Sequence, residues 1–286
     1  MSCLRVPNSG RSTSVDLNAR PPWSNGALRR LGDALRAGTA PLEDAPSYAD
    51  VVAWHDNLAN EVDNRIEGGS WAVESKLWTT SRWRLTTGFH VSSRRKTQDT
   101  LVDKLRRQPS LQLNTVQDLA GVRMDADLLL DEQTALAGEI AQHFGADDSA
   151  IHDLRDGAHA GYRAVHVWLR LPAGRVEIQI RTALQHLWAD AYESLADTCG
   201  RGIRYGEPID QAAAPGFDPN QVRTAVQTMH NLSTALAITE HQWQEASDLP
   251  TPDERVLATR ADVIAKVKAI TAAVLTIEGN TGEVGG

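Results

Sequence analysis

Gly174-Arg175-Val176-Glu177-Ile178-Gln179-Ile180-Arg181-Thr182 is the stretch on which the fold turns. Val176, Ile178 and Ile180 alternate with Glu177, Gln179 and Arg181. A period of two over this length specifies a β-strand with one buried face. The other face sets a carboxylate, an amide and a guanidinium in a row, groups able to hold a metal ion, a hydroxyl and a phosphate. The segment before it alternates as well. From Gly161 to Leu171, one side carries Val165, Val167, Leu169 and Leu171, and the other carries His166, Trp168 and Arg170. Pro172-Ala173-Gly174 is turn chemistry, so the two strands read as an antiparallel hairpin. With Arg170 opposite Arg175, His166 falls opposite Gln179 and Trp168 opposite Glu177. Directly paired residues share a face, so the polar side chains line one surface. That surface is either solvated, as one face of an antiparallel sheet commonly is, or it binds something.

Outward from the hairpin, the chain reads as a core flanked by helices. Residues 1–22 are rich in Ser, Asn, Arg and Pro, show no period and are expected to be disordered. Residues 23–73 hold two amphipathic helices, over 25–37 and over Ser47–Ile66. The second contains a His55-Asp56 pair. A metal-dependent hydrolase site would need further His and Asp ligands, and up to His90 only His55 and His90 are available. The pair is therefore read as part of a solvated helix face. Within a core of 74–205, Thr86–Ser93 is an edge strand or loop, and Thr97–Arg107 is a helix with Thr97 as its N-cap. Leu119–Met124 is a short strand, and Asp131–Phe144 is a helix ended by Gly145. A helix over Ala183–Ala196 follows the hairpin. Residues 200–217 read as a Gly- and Pro-bearing linker. Helices over Asp218–Ser247, with Pro219 behind an Asp218 cap, and over Pro252–Thr276 make a C-terminal extension, 206–278. The tail 279–286 should fray.

The chain has 286 residues, 41% hydrophobic and 23% charged, which suits a globular protein of one or two domains. No apolar run reaches the about 18 residues of a membrane-spanning helix, and the N-terminus lacks a secretory pattern. Cys3 and Cys199, the only cysteines, form no metal-spacing motif, and a reducing cytoplasm is the expected location. A net charge of −8 disfavours generalised nucleic-acid binding. One local block is nevertheless basic: Arg94, Arg95, Lys96, Lys104, Arg106 and Arg107 stand against Asp99 and Asp103, with Arg82 and Arg84 upstream. Lys96, Thr100 and Lys104 recur at helical spacing on one face. Cations near a helix N-terminus oppose its dipole, and a bound phosphate would offset that; the alternative is a solvated basic face.

Gly161-Tyr162-Arg163-Ala164-Val165-His166, then Glu177-Ile-Gln-Ile-Arg-Thr182, then Gln185-His186-Leu-Trp188-Ala-Asp190, resemble the synthetase domain of the RelA/SpoT family. Two upstream blocks are similar to the same family and stand in the same order. Arg94-Arg-Lys96, Thr100 and Lys104 match its ATP-phosphate block, and Asp118-Leu-Ala-Gly-Val-Arg123 its metal-aspartate strand. The resemblance covers residues 74–205 and implies transfer of pyrophosphate from ATP to a ribose 3′-hydroxyl. It implies an ATP site of Arg94, Lys96, Thr100, Lys104 and Arg123, with Arg94 on the adenine side. It makes Asp118 and Glu177 the Mg²⁺ ligands and catalytic carboxylates, Glu177 also drawing the proton from the attacking hydroxyl. It puts Tyr162, His166, Gln179 and Arg181 at the acceptor, Tyr162 stacking on the base. On their own residues, Arg123 and Arg181 read equally as salt-bridge partners, and His186 and Trp188 equally as supports for the sheet.

Where the family reads Lys-x-Asn-Gly-Tyr, this chain reads Ala158-His159-Ala160-Gly161-Tyr162. A lysine for acceptor phosphates and an asparagine for guanine are absent, with His159 or Arg155 as candidate substitutes. The expectation is an α+β, nucleotidyltransferase-like fold: a mixed sheet of about five strands flanked by helices, with extra helices at both termini. The expected function is that of a small alarmone synthetase, an ATP-dependent pyrophosphokinase making (p)ppGpp from GDP or GTP with Mg²⁺. The alternative is a toxic branch that pyrophosphorylates the 3′-terminal adenosine of tRNA and would have an antitoxin as partner. An inactive regulatory module is a third reading, opposed by the joint presence of Asp118, Glu177, Lys96 and Lys104. A homo-oligomer is a further candidate assembly.

Overall fold

Ser24 and Ser47 accept hydrogen bonds from the backbone N–H groups of Ala27 and Asp50, and so start α1 (Asn25–Ala37) and α2 (Tyr48–Glu67). A hydroxyl at the N-cap satisfies an N–H that the first turn leaves unpaired. Two short strands, β1 (Trp78–Thr79) and β2 (Leu85–Thr86), pair antiparallel, Trp78 opposite Thr86. Then come β3 (His90–Arg94), α3 (Gln98–Arg107), β4 (Ala120–Ala126), α4 (Leu130–His143) and β5 (Ile151–Asp153). The hairpin is β6 (Val165–Leu171) and β7 (Gly174–Thr182), followed by α5 (Ala183–Cys199). Beyond it lie a short α6 (Ile209–Ala212), α7 (Pro219–Asp248), α8 (Glu254–Leu257) and α9 (Arg260–Val274). This computed structural model describes residues 15–41, 43–75, 78–79, 85–86, 88–94 and 97–276.

The main sheet has five strands in the order β3-β4-β7-β6-β5, the α+β arrangement of about five strands that the resemblance implies. β3 is an edge strand, and β5 closes the other edge antiparallel to β6, with Ile151 opposite Val167 and His152 opposite His166. The hairpin strands run on to Leu171 and Gly174, so Pro172 and Ala173 alone make the turn. By contacts the chain divides into two compact units. The first comprises 1–69, 92–122 and 168–177; the second comprises 70–91, 123–167 and 178–286.

In the first unit, Leu28 and Leu31 of α1, Val51 of α2 and Leu101 and Leu105 of α3 form the core with Leu113. A Cβ at Gly32 would stand 2.6 Å from that of Leu113, so the approach of α1 needs glycine. The hairpin turn is tied from two sides: the Ala173 N–H donates to the Leu17 carbonyl at 3.2 Å, and Trp54 Nε1 donates to the Ala173 carbonyl at 2.8 Å. Val15 and Leu17 are buried, so the disorder expected over 1–22 does not hold for residues 15–22. His55 also departs from expectation. It is buried, its Nδ1 lies 2.7 Å from the Val51 carbonyl, and a Cβ on Gly174 would stand 3.6 Å from its Nε2. It belongs to the α2 stripe Val51, His55, Leu58, Val62, whose spacing puts it under the hairpin turn rather than in water. Burial lowers its pKa.

In the second unit, α5 packs against α7 and α9. Thr182 accepts from the Gln185 N–H at 3.2 Å while Gln185 Oε1 accepts from the Thr182 N–H at 3.3 Å, a reciprocal cap that starts α5 directly off β7. Glu240 of α7 is buried over that cap and receives Gln185 Nε2 at 3.2 Å and the Thr182 hydroxyl; burial raises its pKa. Trp188 Nε1 donates to the Met229 carbonyl of α7 at 2.6 Å, and its ring stacks on Tyr192 at 4.7 Å. The stretch 252–276 is two helices rather than one, broken at Ala258 and Thr259. The linker expected over 200–217 carries α6. Among the described residues no helix is long and apolar enough to cross a membrane.

Candidate active site

In the first unit, Asp118 stands in the turn that leads into β4, and Glu177 stands half-buried on β7 between Val176 and Ile178, both fully buried. β4 and β7 are neighbours in the sheet. The residues just before the two carboxylates are joined. Gln117 Nε2 donates to the Val176 carbonyl at 2.9 Å and to the Leu169 carbonyl at 3.1 Å, while its Oε1 accepts from Arg175 at 3.2 Å. One side-chain amide thus staples the entry of β4 to both strands of the hairpin. Gln117 drew no attention in the sequence, because an isolated Gln in a turn carries no periodic signal.

Lys104 of α3 donates to Asp118 Oδ1 at 2.9 Å, with both side chains about a quarter to a third exposed (30% and 24%). Such a pair is worth little as a stability device in contact with water. It holds a cation beside a carboxylate. Thr100 lies one turn earlier on the same helix face, its hydroxyl donating to the Thr97 carbonyl at 2.8 Å. Thr97 holds the N-cap position but its side chain makes no capping bond; its hydroxyl lies 3.0 Å from that of Thr100. Of the three residues expected on one helix face, Thr100 and Lys104 are on α3. Lys96, with Arg95, Arg82 and Arg84, lies outside the described residues. Arg94 ends β3 and is exposed.

In the second unit, the loop that precedes β6 holds Tyr162. Its backbone is left-handed at Gly157 (φ 73°), Ala160 (φ 53°) and Gly161 (φ 85°). The Tyr162 hydroxyl lies 3.0 Å from His166 Nε2, and the two rings meet edge-on at 5.8 Å. His166 is buried, so it backs Tyr162. Of the two residues considered as substitutes for the missing Lys and Asn, Arg155 is engaged elsewhere. Its guanidinium donates to Asp153 at 2.9 Å, to the Leu130 carbonyl at 2.7 Å and to Thr134 at 3.0 Å. His159 is exposed on the loop. Ala160 has a left-handed backbone, which an asparagine side chain tolerates better than alanine's. Ala160→Asn is therefore expected to stabilise the fold by about 0.5–1 kcal/mol. Urea unfolding checks this, and a lowered midpoint would show that the loop gains nothing from asparagine.

Arg123 on β4 and Gln179 on β7 meet in the second unit, Arg123 Nε donating to Gln179 Oε1 at 3.4 Å and Nη2 to Glu193 of α5 at 2.6 Å. Arg181 is fully buried and donates to Asp125 Oδ1 at 2.9 Å. His186 Nδ1 lies 3.1 Å from Asp125, its Nε2 lies 3.2 Å from Asp190, and His90 Nδ1 lies 3.6 Å from Asp125. Burial by itself would raise the Asp125 pKa, but the Arg181 guanidinium and hydrogen bonds from His186 and His90 outweigh it and hold it far below the usual carboxylate range. Burial likewise works against the charge on Arg181, and Asp125 more than restores it, so its pKa is raised. The polar surface expected along β7 is therefore divided. Glu177 and Gln179 are half-buried, whereas Arg181 is roofed by α5. Both cations have the salt-bridge partners that their residue types suggested. His186 and Trp188 support the sheet and the helices. Asp125 and Glu193 escaped the sequence reading, and Asp190 entered it only as part of a block without a role of its own, since carboxylates on a strand and a helix acquire meaning only once the two are packed.

A model of a region found in RelA / SpoT proteins matches residues 93–196. Uncharacterised proteins of Mycobacterium tuberculosis and Mycobacterium bovis are each 57% identical over 263 residues, covering 90% of this chain and 91% of theirs. Among solved structures, small alarmone synthetase 1 from Bacillus subtilis bound to its product pppGpp is similar. It has 18% identity, covers 69% of this chain and 95% of its own, and has a TM-score of 0.47. A GTP pyrophosphokinase family protein from Streptococcus pneumoniae has 15% identity, covers 78% of this chain and 97% of its own, and has a TM-score of 0.42.

Proposed function

We propose that this chain, which belongs to the RelA/SpoT family, is a pyrophosphokinase that transfers pyrophosphate from ATP to the ribose 3′-hydroxyl of GDP or GTP. The observation that carries this reading is the Gln117 bond to the Val176 carbonyl at 2.9 Å, which ties the turn bearing Asp118 to the strand bearing Glu177. Both are hard oxygen donors of the kind that Mg²⁺ takes. Among the described residues no group of three His, Cys, Asp or Glu is placed to hold a metal, so phosphate oxygens of ATP would complete the coordination. Bound there, Mg²⁺ would neutralise charge on the transferred group.

The protein's own part is positioning and charge. Lys104 and Thr100 present a cation and a hydroxyl to the ATP phosphates, with Arg94 and Lys96 completing that site. Tyr162, backed by His166, stacks on the acceptor base, Gln179 serves the acceptor, and Arg123 adds a cation to the ATP site. Glu177 accepts the 3′-hydroxyl proton as the oxygen bonds to the β-phosphorus, the bond from that phosphorus to the α–β bridging oxygen breaks, and AMP leaves. Arg181, buried against Asp125, acts by holding β7 to β4. The exposed His159 is the candidate for acceptor phosphates in place of the missing lysine.

A second reading keeps the chemistry and changes the acceptor to the 3′ end of tRNA, a toxic activity that would call for an antitoxin. The absent Lys and Asn ahead of Tyr162 favour it, as do Arg106 and Arg107, exposed on the last turn of α3. Incubation with γ-labelled ATP, Mg²⁺ and GDP, GTP or bulk tRNA separates the two. Label in a guanosine polyphosphate is expected. Label in tRNA alone, lost on reversing Arg106 and Arg107 to Glu, would replace the first reading with the second, and label in neither acceptor would sink both. Within the first reading, Lys104→Ala should raise the KM for ATP. Tyr162→Ala should raise the KM for GDP about ten- to a hundred-fold, the worth of one base–aromatic stack. Exchanged effects would refute the division into an ATP site and an acceptor site.

A further inference from the structure

We infer that Ser233, in the middle of α7, is a positioning residue for the acceptor site. This rests on the reading of Tyr162 as the acceptor-stacking residue. Ser233 is buried at 2% exposure, and its hydroxyl is used twice. It donates to the Gly161 carbonyl at 2.5 Å and accepts from Arg163 Nε at 3.1 Å. A serine inside a helix ordinarily bonds back to its own preceding turn or faces solvent. This one is spent on a loop that precedes it by 72 positions in the chain.

The loop needs such a clasp. Three of its residues from Gly157 to Gly161 have left-handed backbone, one of them the alanine at 160. It wraps closely around the Arg163 guanidinium: a Cβ on Gly157 would stand 2.6 Å from Arg163 Nη2, and Nη1 of the same group donates to the Arg155 carbonyl. On the far side Gly161 lies against α5 and α7, where a Cβ would meet Trp188 at 3.1 Å and Ser233 at 3.2 Å. One hydroxyl thus fixes the peptide just before Tyr162 and the guanidinium just after it. His166 fixes the other end of the tyrosine at 3.0 Å. A hydroxyl suits this point because it can donate and accept at once, which neither alanine nor a cation can do. α7 therefore does more than cover the core. It sets the ring on which the acceptor base rests, in a chain whose loop lacks the Lys and Asn side chains of the resembled pattern.

Ser233→Ala is expected to raise the KM for GDP about ten-fold, with kcat and the KM for ATP within about two-fold of the parent. Ser233→Thr keeps the hydroxyl and should bring the KM for GDP back toward the parent value. Amide hydrogen exchange over residues 157–163 should quicken in Ser233→Ala. An unchanged KM for GDP overturns the inference, and so does an equal loss in kcat and both KM values, which would mark a merely structural serine. Should Ser233→Ala lose its cooperative unfolding transition, Ser233→Cys carries the same comparison, being nearly isosteric but a weak hydrogen-bond former. The exchange measurement needs no turnover. If the unmutated protein labels no guanosine nucleotide, the pyrophosphokinase reading falls, while exchange still decides whether Ser233 holds the loop.

Discussion

Glu177→Gln is expected to lower turnover by about 10³-fold or more while leaving the fold intact, a barrier increase of several kcal/mol. The amide has the size of the carboxylate, and the residue sits half-buried on β7 between Val176 and Ile178, whose burial anchors the strand. The backbone should therefore keep its place. What goes is a negative charge toward the metal and a group able to take the proton of the attacking hydroxyl. Asp118, on the turn before the neighbouring strand, brings its own charge to the metal and does not replace the carboxylate lost from β7. Single-turnover labelling, set beside the thermal unfolding curve, makes the measurement. Turnover within a few-fold of the parent, in a variant that unfolds like the parent, would remove Glu177 from the chemistry.

Asp125→Ala should cost about 3–5 kcal/mol of stability, because removing one partner of a buried ion pair strands the other charge. Arg181 has no exposure at all, and Asp125 at 2.9 Å is its close carboxylate; Asp190 stands at 3.9 Å. In a chain of this size the expected fall in Tm is on the order of 10 °C. Replacing both partners by apolar residues, Asp125→Leu with Arg181→Met, should recover much of the loss, since the desolvation of two charges is then avoided. The pair also predicts an acid limb. The folded-state pKa of Asp125 is depressed, so its contribution is present above the unfolded-state value of about 3.9 and is lost as pH falls below it. Urea midpoints measured at falling pH should drop more steeply in the parent than in the double variant. Equal acid slopes, or a single variant as stable as the parent, would show that Arg181 finds another partner when Asp125 is removed.

Much of this molecule is legible locally. The period of two in residues 165–181 specified the hairpin, Asp218 marked a helix start, and Gly145 marked a helix end. These signals work because they concern atoms within a turn or a strand of one another. The same alternation placed Glu177, Gln179 and Arg181 on one face without saying what covers that face. His186, Asp190 and Glu193 recur along α5 at helical spacing, and α5 lays them over β4 and β7, where Arg181 becomes core and finds Asp125, 56 residues away in the chain. His55 shows the same limit. Read as a dipeptide with Asp56 it looked solvated, and read in the α2 stripe with Val51 and Leu58 it is buried. The sequence by itself determined the strand pair, the order of the helices and the residue types of a nucleotide site. Only the tertiary structure decided which of those polar groups remain half-buried beside the sheet and which are sealed. It also decided that Gln117 and Ser233 hold the acid strands and the Tyr162 loop in place. The physical reason is that a side-chain period reports a face, whereas the partner of that face is set by packing between segments far apart in the chain.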